Sequence, residues 1–480
     1  MRIPLHLRIL ALVAIAALAL AGCNSSSSDG GDPSIVLPPE TGTVGILITD
    51  APTDEFDQIL ITVEEVRLLG GNGNDDHLMF EGSETFDLLA LTEFTDLFAV
   101  SDDVPVGEYE KIRLQVSGIE LVELDDSGDV VRTEEVRPRG NGKLDLSPRG
   151  AFNVEADETL LVRLDIDARK SILLVGAGAS GQYILRPVVF VDIDRGELRD
   201  RLVRLYGEVE AVETDEITLC NLRRIQSDAD ARAYDGCVQV RLDEETGLFD
   251  PEGDPLVISG LIGGELATAI GFFAPAENGT QPFDALVVQV GERGPNYPFK
   301  LSGTAASTVD ANRRFELLAP GQGLDTAEIA VRLQQGTALI TRDGERVPDT
   351  EIIPDRGVTT EGVLSLNNAE LKASLVLLDI GGDDVAEATL RGTVQTVDPL
   401  VVSTDDPPAD VCVVLTDDVD VFEVSETEDG GTTTARVDAD ALESGQVIDA
   451  WGRERSDGCF EATSVIINLD GVDDPDGDDA

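Results

Sequence analysis

A unit with four anchors recurs three times after residue 200, and no other feature constrains the fold as strongly. Its opening strand reads Leu205-Tyr206-Gly207-Glu208-Val209, then Leu301-Ser302-Gly303-Thr304-Ala305, then Leu390-Arg391-Gly392-Thr393-Val394. A middle strand follows as Cys237-Val238-Gln239-Val240, Ile329-Ala330-Val331-Arg332 and Cys412-Val413-Val414-Leu415. A fourth strand carries a glycine in Ile270-Gly271, Glu361-Gly362 and Trp451-Gly452, and the last strand opens Phe283-Asp284-Ala285, Leu371-Lys372-Ala373 and Phe460-Glu461-Ala462. Anchors that keep one order three times mark a repeated supersecondary unit. Single glycines inside strands suit the corners of a small barrel, where the backbone must bend or bulge. Each unit offers five strands, and in the last unit Asp438 is the candidate N-cap and Gly445 the stop of a short helix between strands three and four. This pattern predicts three small OB-like β-barrel repeats. They occupy residues 203–292, 299–381 and 388–470, joined by linkers at Arg293 to Pro298 and Gly381 to Glu387.

Residues 43–195 carry no such repeat but alternate with period two. The runs are Val44, Ile46, Ile48; Ile59, Ile61, Val63; Ile112, Leu114, Val116; Leu160, Val162, Leu164, Ile166; and Val189, Val191, Ile193. Side chains on a strand point to alternate faces, so these are half-buried strands. Turn-forming stretches lie between them, including Gly70 to Asp76 and Asp125 to Asp129, and only Phe86 to Val100 has the look of an amphipathic helix. The expectation is an all-β chain, opening with an antiparallel β-sandwich.

Three stretches of this first module resemble a known family. They are Thr49-Asp50-Ala51-Pro52 at the end of the first strand, Val106-Gly107-Glu108-Tyr109-Glu110-Lys111-Ile112-Arg113-Leu114, and Tyr183-Ile184-Leu185-Arg186-Pro187-Val188. Together they look like bacterial and archaeal domain of unknown function 4382, known by its Thr-Asp-Ala-Pro motif. The resemblance implies a fold and no chemistry. Physically, Asp50 can accept from backbone N–H groups ahead of it while Pro52 fixes the turn.

The N-terminus speaks to compartment. Arg2 and Arg8 precede the unbroken apolar run Ile9 to Leu20, too short for a mature spanning helix and suited to a signal-peptide core. The run ends in Leu20-Ala21-Gly22-Cys23, which resembles the lipobox of bacterial lipoproteins. That resemblance implies cleavage after residue 22, acylation of Cys23, and, with Asn24 following, delivery to the outer membrane. Residues 23–42 then form a serine-rich flexible tether, and residues 471–480 an acidic tail. An extracytoplasmic compartment permits disulfides. In an OB-like barrel strand three neighbours strands two and five, which brings Cys237 beside Cys220 and Cys412 beside Cys459. The middle repeat has no cysteine, as within-unit pairing requires. A zinc site built from the four thiolates would need ligands from two distant units and lacks the close ligand spacing.

Composition narrows the chemistry. Lys plus Arg number 35 against 94 Asp plus Glu, a net charge of -59 that repels nucleic-acid phosphates. The two histidines are His6, in the apolar leader, and His77, in a Gly/Asn/Asp loop where a solvated side chain is the expectation. Gly176-Ala177-Gly178-Ala179-Ser180-Gly181 mimics a dinucleotide loop but opens no helix. Asp125, Asp126 and Asp129 offer oxygen ligands for a weak calcium site, against the alternative of a plain hairpin turn. No other cofactor is expected. The chain therefore reads as a non-catalytic outer-membrane lipoprotein, held by its N-terminal lipid and facing periplasm or cell surface, that binds or braces an envelope protein or polysaccharide. The second reading is a carbohydrate-active or calcium-dependent adhesive protein. Trp451 is the sole tryptophan and aromatic residues make up 4%, which leaves few platforms for sugar rings.

Overall fold

Each period-two run becomes a strand in the computed structural model, which describes residues 40–468 apart from 52–55, 92, 126–128, 137–139, 149, 178–179, 186–187, 195–197, 225–230, 277–280, 294–298, 320–327, 342–343, 366–369, 381–387, 406–407, 428–430 and 456. Cys23 with the apolar run before it, the tether up to residue 39, Pro52, Asp126, residues 294–298 and 381–387 of the linkers, and the acidic tail lie outside the described residues.

The first module holds β1 (Thr41–Ala51), β2 (Gln58–Gly70), β3 (His77–Asp87), β4 (Phe94–Pro105), β5 (Gly107–Leu124), β6 (Val130–Val136), β7 (Lys143–Ser147), β8 (Phe152–Val154), β9 (Thr159–Asp167), β10 (Ile172–Ala177), β11 (Ser180–Leu185) and β12 (Val189–Asp194). Strands β12, β9, β1 and β4 lie side by side in one sheet, and β3, β2, β5 and β7 in another, with β6 and β8 also paired to β5. Ile46, Ile48, Val162 and Leu164 from the first meet Ile59, Ile61, Ile112 and Leu114 from the second in one buried core. The antiparallel expectation needs correcting. β1 runs parallel to β9 from Thr43 opposite Thr159 to Ala51 opposite Asp167, so this sheet is mixed. A parallel pair needs a long crossover, and the whole of the second sheet supplies it.

The helix-like stretch Phe86 to Val100 is the end of β3, one 3-10 turn at Leu88–Leu91 and the start of β4. β4 has no alternation because both its faces are covered. Phe98 enters the sandwich core, while Leu97 and Phe94 join clusters shared with the barrels. A strand buried on two sides cannot be told from a buried helix by periodicity alone.

The first barrel is made of β13 (Leu198–Val212), β14 (Glu216–Arg223), β15 (Arg232–Arg241), β16 (Gly247–Phe249), β17 (Leu266–Phe273) and β18 (Phe283–Val290). β13 pairs with β14, β14 with β15, β15 with β18, β18 with β17 and β17 again with β13, which closes a ring. The second, β19 (Phe299–Ala305), β20 (Arg314–Leu318), β21 (Glu328–Thr341), β22 (Gly357–Leu364) and β23 (Glu370–Leu378), closes in the same order. So does the third, β24 (Ala388–Val397), β25 (Leu400–Asp405), β26 (Pro408–Glu426), β27 (Thr432–Val437), β28 (Val447–Glu454) and β29 (Phe460–Asn468), with β27 set outside the ring. In every ring strand three runs parallel to strand five.

The repeated glycines have a common cause. Gly271, Gly362 and Gly452 each stand at a register shift against strand five, where a Cβ would strike the carbonyl oxygen of Asp284, Lys372 or Glu461. The helix expected from Asp438 shrinks to a single 3-10 turn, Ala439–Ala441, and the Asp438 side chain makes no capping bond. The equivalent turns are Ile258–Gly260 and Asp349–Glu351. Each lowers one buried side chain into its barrel, Leu261, Ile352 or Leu442, and then reverses through a left-handed residue, Gly264, Asp355 or Gly445. One turn suffices for that task, so no α-helix forms.

The modules are fused and not strung apart, and from Glu40 onward they form one compact unit. β13 continues the first sheet of the sandwich, with Leu202 to Arg204 parallel to Phe94 to Asp96 of β4. β27 continues the second, with Thr432 to Ala435 parallel to Leu144 to Ser147 of β7. The first and second barrels pack Phe249, Ile270, Phe272 and Val287 against Ala338, Ile340, Leu375 and Leu377. The third packs Phe422, Val424, Trp451 and Ile466 against Val188 and Phe190 of the sandwich.

Candidate functional site

At the end of β1 the Thr49-Asp50 pair is fully buried. Thr49 Oγ1 lies 3.3 Å from the Leu91 carbonyl and 3.2 Å from that of Phe94, and accepts from an Arg201 guanidinium N–H at 3.1 Å. The same guanidinium donates to the Asp50 carbonyl at 3.2 Å. Asp50 Oδ1 accepts the backbone N–H of Ala168 at 3.0 Å, which lies beyond the parallel partner β9. The carboxylate therefore ties two distant strand ends together, and the turn directly ahead of it, at residues 52–55, lies outside the described residues. Asp167 completes the junction by accepting from the backbone N–H of Lys170 at 3.0 Å and pairing with its ammonium at 2.7 Å. Nearby, burial pushes the Asp165 carboxyl above its ordinary range, against the opposing pull of Arg201 and Arg163.

A second buried constellation joins three modules. Arg204 of β13 grips Asp96 of β4 through two bonds of 3.0 and 3.1 Å, reaches Glu361 of β22 at 3.2 Å, and lies over the Phe94 ring. Burial alone would lower the Arg204 pKa, but the two carboxylates outweigh it and raise it, so the guanidinium stays charged. Glu93 adds an ion pair to Lys300 of β19 and a bond from Thr359 of β22. The sequence carried a signal for this hub. Ahead of the fourth-strand glycine the repeats hold Ile270, Glu361 and Trp451, so a charge stands where its siblings are apolar and packed against a neighbouring module.

A polar recess lies where β27 leaves the sandwich. It encloses about 410 Å³ between Gly150 to Asn153 at β8, Val191 to Ile193 of β12, and Arg436 of β27. Asp192 accepts from Arg163 at 2.8 Å on its rim, while Arg436 pairs with Asp420 and lies 5.7 Å from the Phe190 ring centre.

The remaining predicted residues are scattered. His77 opens β3 and is not a solvated loop side chain, being 16% exposed. It also has a serine neighbour that the sequence did not suggest, since Nε2 lies 3.0 Å from Ser101 Oγ. The constellation differs from a hydrolytic triad, because Asp103 accepts from Ser101 Oγ at 2.5 Å and stands 3.6 Å from the same Nε2. Base and carboxylate converge on one hydroxyl, and neither orients the other. Burial lowers the His77 pKa, with Asp103 opposing. Asp125 and Asp129 close the hairpin between β5 and β6, with the Asp129 N–H donating to Asp125 Oδ1 at 3.0 Å. Among the described residues no group of three or more His, Cys, Asp and Glu is gathered to hold a metal. Of the glycine-rich run, Gly176 pairs with Gly181 and Ala177 with Ser180 across β10 and β11, and residues 178–179 lie outside the described residues. Cys220 and Cys237 face each other across β14 and β15, and Cys412 on β26 faces Cys459 beside β29, both at disulfide distance. Among the described residues no helix is long and apolar enough to cross a membrane.

Residues 41–187 match the family model of a domain of unknown function, DUF4382. No curated protein and no solved structure matches the chain.

Proposed function

We propose that this protein is a lipid-anchored envelope lipoprotein whose sandwich and three barrels serve as one rigid binding or bracing body without catalytic work. The observation that carries the reading is the Arg204 hub, where one buried cation ties the sandwich to two barrels. Separating the modules would leave buried charges without their partners, which favours the one arrangement that keeps them paired. A body of fixed shape on an acylated tether holds its surfaces at a set reach from a membrane, which suits a scaffold or receptor. Two acyl groups or more give stable attachment where a single chain gives marginal binding.

The test separates anchor from activity. Mass spectrometry of the native N-terminal peptide should find lipid on Cys23, and Cys23→Ser should move the protein from the membrane to the soluble fraction. Cleavage elsewhere with a free amine would sink the anchor. A broad hydrolase screen on the same preparation should show no turnover, and turnover abolished by a single Asp or Glu substitution would overturn the non-catalytic part. A melting shift on calcium addition would favour the adhesive reading instead.

A further inference from the structure

The geometry points to the open edge of β12 as a docking strand for an extended, basic peptide segment of a partner protein. This inference deepens the reading of the chain as a binding module and rests on it. β12 pairs only with β9 among the described residues. The direction of its backbone groups follows from one bond. The Asp167 N–H donates to the Val188 carbonyl, so Val188 turns its main chain toward β9. Main-chain groups alternate between the two edges of an antiparallel strand, so Val189, Val191 and Ile193 turn theirs outward.

The recess confirms that this edge faces space. Three consecutive residues, Val191, Asp192 and Ile193, line it together. Successive side chains point to opposite faces, so a hollow touching all three must run along the edge of the strand and not across a face. β8 forms the opposite wall, and β27 ends its pairing with β7 at Ala435, one residue short of Arg436, which stays paired with β26. Six residues of β12 span about 20 Å, and an added strand fits that length.

An open edge with outward N–H and C=O groups asks for another backbone, the mode in which main-chain bonds supply affinity and alternate side chains supply selection. The side-chain chemistry of the guest follows from charge. A chain of net charge -59 repels acidic segments and gathers basic ones, while the two charged side chains lining the recess, Asp192 and Arg436, are each already paired, with Arg163 and Asp420. Val191 and Ile193 turn their side chains to the sandwich core, and a guest strand places every second side chain on that same side, so the guest alternates basic with apolar residues.

The experiment uses the full chain in detergent and a synthetic probe, Lys-Val-Lys-Val-Lys-Val-Lys, with two controls: the same peptide N-methylated on its valines, and its Glu-for-Lys counterpart. Saturating probe should slow amide exchange at Val191 and Ile193 by about tenfold or more, and leave the β20 amides unchanged. N-methylation and the acidic replacement should each weaken binding by about tenfold or more, and binding of the basic probe should fall as salt rises. Val191→Pro removes an outward N–H without breaking the β9 ladder and should give the same loss, and the exchange readout on the unaltered chain stands apart from its folding. Unchanged exchange at β12, equal binding of the N-methylated peptide, no binding at all, or a dimer sealed through this edge that the probe does not open would overturn the proposal. Membrane fractionation of the same preparation reads the anchor separately, so failure at the edge is distinct from failure of the lipoprotein reading.

Discussion

Removing the Arg204 guanidinium would leave the buried carboxylates of Asp96 and Glu361 without their shared cation. Arg204→Met is therefore expected to cost about 3–5 kcal/mol, the usual penalty for leaving a buried charge without its partner. Chemical denaturation measures it. Replacing Asp96 and Glu361 by Leu in the same variant should recover most of the loss, because an apolar trio carries no desolvation cost. His77 supplies a second residue-level expectation. Its folded pKa lies below the ordinary 6.5, burial being the main cause. A depressed histidine favours the folded state above the unfolded value and withdraws that support as pH falls through the folded one. Ring-proton titration by NMR should place the midpoint under 6.5, and Asp103→Asn should move it lower still by removing the charge that assists protonation. A midpoint above 6.5 would contradict the burial described for this ring.

At the scale of strands, the corner glycines offer the sharpest contrast. Gly362→Ala would press a methyl group onto the Lys372 carbonyl, and is expected to cost about 1–3 kcal/mol as overpacking. Gly118→Ala in β5 has only the Thr62 hydroxyl within 4 Å, at 3.9 Å, and should stay within about 1 kcal/mol of the parent. Equal losses in thermal melts would deny the corner role. For the cysteines, loops of 17 and 47 residues predict stabilisation of about 3 and about 4 kcal/mol in the chain-entropy model. Peptide mapping without reductant should recover Cys220 with Cys237 and Cys412 with Cys459, and a Cys237 to Cys412 link would break the strand order.

Those same glycines and cysteines explain why the barrels were legible in sequence: a corner that admits no Cβ, and a thiol pair across neighbouring strands, each leave a mark on residue type. The docking faces left a fainter one. Strand five reads as an almost continuous apolar run in Ala285-Leu286-Val287-Val288 and Leu375-Val376-Leu377-Leu378, because one side fills the barrel and the other meets the next module. β4 deceived the periodicity for the same reason. Neither the Asp50 bond to Ala168 nor the Arg204 hub could be found by spacing, since their partners lie 118, 108 and 157 residues away.

For the molecule as a whole, the sandwich is the hub to which every barrel attaches. A fragment of residues 40–194 would leave the edges of β4 and β7 bare, and bare edges template unwanted pairing. Size-exclusion chromatography should find that fragment associating, while the chain that includes all three barrels elutes as one species. A monomeric, stable fragment would show that the sandwich needs no cover. The seam between β7 and β27 also sets a clock on biogenesis. Asp145 and Thr433, bonded across it, are 288 residues apart in the chain. At about 5–20 residues per second, the ribosome needs about 15–60 s to deliver the strand that seals the first module. Throughout that interval the nascent protein carries an unsealed β-edge, so its yield in the cell should depend on holdase chaperones far more than its final stability would suggest.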